Sequence, residues 1–164
     1  MDPQACIDAA RDALYREEWD AAEEHLRAYA EWRDRGGFPA RRVRLLPGTW
    51  DYMGCAVWAD CDASAQGNVD VTDPTCFADH GGDWIRMVLE YSRHWSACLP
   101  LLGDSGDDEQ FGHDLWLTRQ GHGAGFWDGD WREPEATALT EYARSIGDIV
   151  IEYDRGFVWG GYAT

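Results

Sequence analysis

With 164 residues, 45% hydrophobic content and ten tryptophans, the chain has ample apolar surface for a core, which excludes a disordered acidic polymer. Its basic residues are all arginine, and they face 31 acids for a formal charge of −17. Such a surface repels nucleic acid and anionic membrane and attracts cationic protein surfaces, so direct binding to either polyanion is not expected.

In chain order, Ile7, Ala10 and Leu14 share a helical face over residues 4–16. Trp19, Ala22, Leu26, Tyr29 and Ala30 do the same over 18–34, and Gly36–Gly37 follow as a stop. The two read as a helical hairpin that must dock elsewhere or dimerise to bury its stripe. Arg33, Arg35, Arg41, Arg42 and Arg44 then make a basic tether, opposed only by Asp34. It contacts a partner, lies against the chain's own acids or is simply solvated; the latter two are preferred, because attached acids are at high local concentration. Pro47–Gly48 marks a boundary between residues 1–46, a helical hairpin with its tether, and an acidic α+β domain over 47–164. The charge follows that division: from Met1 to Gly48 eight Arg oppose ten acids, and from Thr49 onward six oppose 21.

Beyond the boundary, WDYMGCAVWA at 50–59 is aromatic and β-branched enough for a strand. Residues 60–82 read as a long loop. Trp84, Val88, Tyr91, Trp95, Cys98 and Leu102 define a helix, with Asp83 as N-cap and Pro100 fraying its end. DLWLTR at 114–119 alternates, Gln120–Gly123 supplies turn chemistry and AGFWD at 124–128 returns, which predicts a β-hairpin. Pro134 opens a helix reaching Gly147, and DIVIEY at 148–153 and residues 157–159 read as strands around an Asp154–Arg155–Gly156 turn. The expected fold is α+β: an N-terminal helical hairpin, then an antiparallel sheet of about four strands with two packed helices.

Three segments together resemble a known family. GHDLWLTRQGHGAGFWD at 112–128, CAVWADCD at 55–62 and DIVIEYDRG at 148–156 are similar to a pattern in small accessory proteins of tailed phages and prophages. The likeness covers roughly residues 50–160, with Gln120 where the family usually carries Asn. It implies an accessory protein acting in a bacterial cytoplasm and supplies no activity. A cytoplasmic setting also agrees with an odd count of five cysteines, without CxxC pairs, signal peptide or long apolar run.

Several constellations compete for chemistry. His113, Asp114 and His122 form a candidate acid–base set, the aspartate fixing an imidazole tautomer, but no nucleophile sits in an orienting motif. Cys55, Cys61, Cys76 and His80 lack the spacing of a zinc knuckle, and the Asp-rich loops lack the calcium-loop pattern, so neither metal nor cofactor is expected. Gly121, Gly123 and Gly125 do not lead from a strand into a helix, so they cradle no phosphate; a flat strip against which Trp116 or Trp127 lies is expected instead.

The reading ranked first is a non-enzymatic inhibitor that imitates nucleic acid. Asp104, Asp107, Asp108, Glu109, Asp128, Asp130, Glu133 and Glu135 would replace phosphates, with Trp127 and Trp131 as anchors, on a cationic host defence complex such as a CRISPR effector. The alternatives are a small enzyme using His113, Asp114 and His122, and an oligomeric interaction module paired through its N-terminal helices. The enzyme requires those histidines to converge on a concave pocket; the mimic requires its acids on an outward face.

Overall fold

The computed structural model describes residues 1–62, 64–103, 107–154 and 157–162. Among them lie six α-helices and one antiparallel hairpin: α1 (Pro3–Tyr15), α2 (Trp19–Asp34), α3 (Thr49–Asp60), α4 (Gly82–Leu102), α5 (Asp108–Gln120), α6 (Glu135–Ser145), β1 (Ile149–Asp154) and β2 (Phe157–Tyr162). The expected four-stranded sheet is absent from the described residues; the one sheet has two strands, with Ile149 opposite Tyr162 and Asp154 opposite Phe157. Residues 155 and 156 of the expected turn lie outside the described residues.

Residues 124–128, expected as a returning strand, run through turns and bends, and the segments expected as strands over 50–59 and 114–119 lie in the helices α3 and α5. Both are buried on most of their circumference, so the helical period of apolar and polar residues vanishes. In α5 four successive residues, Leu115 to Thr118, are all buried, and so is Arg119. A helix inside a core reads like a strand when it is rich in aromatic and β-branched residues.

α1 begins under Asp2, which accepts hydrogen bonds from the amides of Gln4 (2.9 Å) and Ala5 (3.4 Å), with Pro3 in the first turn. Its stripe of Ile7, Ala10 and Leu14 is buried beside Ala22, Leu26 and Tyr29 of α2. Arg93 of α4 lies 5.6 Å from the centre of the Trp19 ring. The cluster of buried side chains runs without interruption from Ile7 to Val158.

The arginine-rich segment is a fixed strap rather than a free tether. Gln4 donates to the Arg42 carbonyl and accepts from the Arg42 amide, both at 3.0 Å. The Trp50 indole donates to the Val43 carbonyl (2.9 Å), and Leu45 and Leu46 are buried. Arg33 pairs with Asp73 at 2.5 Å, whereas Arg35, Arg41, Arg42 and Arg44 remain exposed.

α4 is the central element, enclosed by α2, α3 and α6. Its Glu90 accepts from the Tyr52 hydroxyl at 2.8 Å and from Arg119 Nη1. His94 Nε2 donates to the same carboxylate at 3.2 Å, while its Nδ1 accepts from the Tyr142 hydroxyl at 2.7 Å. Arg119 also donates to the Gly147 carbonyl through Nε (2.8 Å) and Nη2 (2.6 Å). This closed network joins α3, α4, α5, α6 and the turn into β1. No helix among the described residues is long and apolar enough to cross a membrane.

Candidate functional site

α3 and α5 pack side by side, and their outer faces bound a shallow groove. On α3, Trp50, Gly54 and Trp58 recur at four-residue spacing and so share one face. On α5, His113 and Leu117 do the same. α5 ends at Gly121, whose left-handed conformation (φ 75°) lets its amide close onto the helix, and the His122 amide donates to the Leu117 carbonyl at 3.0 Å. That closure turns the chain back so that His122 lines the same groove as His113. The part holding both histidines is about 510 Å³, bounded also by Trp58, Leu117 and Ala124. A second part of about 420 Å³ continues past Trp58 and His113 towards Trp50 and Asp51. Both volumes are in the range of small-ligand sites.

Each histidine is oriented by a carboxylate, and each carboxylate is held by a tryptophan. Asp114, 3% exposed, accepts from the Trp131 indole N–H at 2.7 Å and lies 3.1 Å from His113 Nδ1. Asp60 accepts from the Trp116 indole N–H at 2.5 Å, and both its oxygens lie 3.2 Å from His122 Nε2. An ionised carboxylate only accepts, so the ring nitrogen facing it carries the proton. His113 is therefore left with Nε2, and His122 with Nδ1, as the free acceptor in the neutral ring. Asp60 is the last residue of α3, where a negative charge opposes the helix dipole by about 0.3–1 kcal/mol. The indole and imidazole donors offset that cost.

The loop after His122 is pinned as firmly. The Phe126 amide donates to Thr118 Oγ1 at 3.0 Å, and the Gly125 amide donates to Asp128 at 3.2 Å. Phe126 is buried between Phe111 and Trp131, with ring centroids 5.5 and 5.3 Å away. The glycines of this stretch thus serve a helix cap at Gly121 and a turn at Gly125 rather than a flat strand. Trp116, expected to lie on such a strip, is instead fully buried between α3 and α5.

The thiols supply no nucleophile here. Cys55 lines the groove, but burial first, and then the charges of Asp60 and Asp114, push it up to about 12. Burial likewise raises Cys61 to about 11 and Cys98 to about 12. At neutral pH all three are protonated. His80 pairs with Asp34 at 3.2 Å on the exposed surface, and among the described residues no group of three or more His, Cys, Asp or Glu is placed to hold a metal.

The acids expected to imitate phosphate divide by local role. Asp107 caps α5 through the amides of Glu109 (3.1 Å) and Gln110 (3.2 Å), and the Gln110 side chain donates to Asp130 at 2.9 Å. Asp128 holds the Gly125 turn, and Glu133 accepts from Thr137 Oγ1 at 2.8 Å. Asp108 and Glu109 point outward at the start of α5, and Glu135 is half-buried. Asp104 lies outside the described residues. Trp127 is 48% exposed, whereas Trp131 is buried with its N–H engaged by Asp114, so it is no surface anchor.

Sequence reasoning placed His113, Asp114 and His122 as a candidate set but missed Asp60, Trp58, Trp116 and Trp131 as its supports. A helical reading of 49–60 would have found Trp58, because it puts Trp50, Gly54 and Trp58 on one face. No protein-family model, curated protein or solved structure matches the chain.

Proposed function

We propose that the protein is a small acid–base enzyme whose site is the α3–α5 groove. The observation behind this reading is the pair of Trp–Asp–His arrangements, Trp131–Asp114–His113 and Trp116–Asp60–His122, opening on one concavity. A carboxylate that fixes one ring nitrogen leaves the other directed to give or take a proton. With two such rings, one in its neutral form removes a proton from the substrate or from water. The other, as imidazolium, delivers a proton to the atom that gains electron density. Proton count at the site is restored by exchange with water. No covalent enzyme intermediate is invoked, in keeping with protonated thiols beside the groove.

General acid–base groups contribute about 10²–10⁴-fold each. His113→Gln and His122→Gln are therefore each expected to lower turnover by at least about 100-fold while the fold is retained. Mass-spectrometric comparison of a small-molecule extract, incubated with wild type and each variant, provides the measurement. A compound consumed by wild type alone is the expected result. Equal consumption by all three proteins, or by none, rejects the proposal.

A second reading is favoured by the exposed Asp108 and Glu109 at the start of α5, by Asp130, which Gln110 of that helix holds, and by the exposed Trp127. In that reading the protein is an acidic accessory protein of phage type, which blocks a cationic, nucleic-acid-binding defence complex of the host. Its affinity for such a complex would fall steeply between 50 and 200 mM salt, about tenfold or more, and salt-independent binding would reject it.

A further inference from the structure

The groove has an electrical sign that narrows what it takes. Among the described residues that line it, none is arginine, although the chain carries fourteen basic residues and all are arginine. The exposed Asp51 stands at one end, and Asp60 and Asp114 stand behind the two histidines. An anionic ligand would meet three carboxylates with only imidazoles in compensation.

Trp58 sits in the middle, bordering both parts of the groove, and is 63% exposed. Its carbonyl accepts from the Gln66 side chain at 3.1 Å, which ties the end of α3 to the following loop. The neighbours lining the groove around it, Gly54, Ala59, Gly123 and Ala124, are small and leave room beside the indole. An accessible indole face carries the negative part of a quadrupole, and a carboxylate nearby reinforces it. The concavity is shallow, so a flat group buries more of itself than a tetrahedral one.

We propose that the groove binds a planar organic cation, of which the guanidinium group is the simplest. It stacks on Trp58, faces Asp51 as counter-charge and offers an N–H edge to the free Nε2 of His113. This rests on the reading of the groove as the functional site, not on catalysis there. Guanidinium chemistry reaches the groove either as a free small molecule or as an arginine side chain of another protein.

Full-length protein titrated with methylguanidinium, with a blocked Gly-Arg-Gly peptide, with methylammonium and with AMP distinguishes these cases, followed by tryptophan fluorescence and amide shifts of Gly54 and Gly123. Methylguanidinium or the peptide binds more tightly than methylammonium, and AMP does not bind. Trp58→Ala weakens the cation about two- to fivefold, the range of an exposed cation–π contact. Asp51→Asn weakens it by a similar factor. Peptide binding tenfold tighter than methylguanidinium assigns the site to a protein's arginine; equal affinity assigns it to the free cation. His122→Gln leaves Trp58, Asp51 and His113 in place, so it still binds the cation even if turnover is abolished or was never present. Preference for AMP, no binding of any probe, or affinity unchanged in both Trp58→Ala and Asp51→Asn overturns the proposal.

Discussion

Arg119→Ala is expected to destabilise the protein by about 3–5 kcal/mol, read as a shift of the urea midpoint at unchanged slope. The loss arises because Arg119 is 5% exposed and Glu90 6% exposed, so removing the guanidinium strands a buried carboxylate. It also strips the Gly147 carbonyl of two donors and the Tyr52 hydroxyl of the donor it accepts from at 2.6 Å. Whether the pair is worth more than its parts is a separate question, since two desolvated charges can merely offset their own burial. A cycle of Arg119→Met, Glu90→Gln and the double variant answers it. Coupling of about 1–3 kcal/mol is expected for groups in one network, whereas additive losses would show that the ion pair contributes nothing of its own.

The same network predicts a sign for the pH dependence. Burial alone raises the Glu90 carboxyl, but hydrogen bonds from His94 and Arg119, with the Arg119 charge, outweigh it and leave the group below the ordinary glutamate range. A carboxyl depressed in the folded state stabilises fully above its unfolded value of about 4.3 and loses that contribution as pH falls towards the folded value. The stability gap between wild type and Arg119→Met should therefore narrow as pH falls, because the variant's Glu90 has lost the charge that holds its proton off and gives up less on protonation. The consequence reaches the groove, because Arg119 sets how α5 lies against α4, and α5 carries His113.

How far the sequence reveals this arrangement depends on how much of each helix sees water. α1, α2, α4 and α6 each keep a polar stripe, and their apolar residues repeat at helical spacing, so all four are legible. α3 and α5 lose that stripe because they pack against each other, with α3 also against α4 and β1 and α5 also against α6. Leu115–Thr118 then imitates strand alternation, Gly121–Gly125 imitates a hairpin turn, and the supposed sheet follows from both. His113, Asp114 and His122 were still identifiable as chemically apt residues close together in the chain. Asp60 was not, since its pairing with His122 exists only once α3 and α5 are side by side. Trp131 illustrates the reverse: its indole looks like a surface anchor among acids, but its N–H is needed by a carboxylate that burial would otherwise isolate.

That side-by-side packing depends on two glycines, which gives a second large effect. A Cβ placed on Gly112 of α5 would fall inside 3.0 Å of the Gly48 carbonyl, with the Tyr52 amide also at 3.0 Å. Both obstacles are backbone and cannot rotate aside. On the other side, Gly48 holds a left-handed conformation (φ 75°) at the start of α3, and its own Cβ would press on the Asp108 carbonyl and the Tyr91 hydroxyl. In isolation a helical Gly→Ala exchange favours the helix by up to about 1 kcal/mol. At Gly112 the clash must exceed that gain, because relief requires α5 to move off α3; a net loss of about 3 kcal/mol or more is expected in thermal or urea unfolding. Gly54, in the middle of α3, supplies the contrast: nothing lies within 4 Å of its missing Cβ. Gly54→Ala should be neutral or stabilising by about 0.5–1 kcal/mol. If Gly112→Ala proved as well tolerated as Gly54→Ala, the helices would have room to separate. The groove between them, lined by His113 and His122, would then lack a rigid seam.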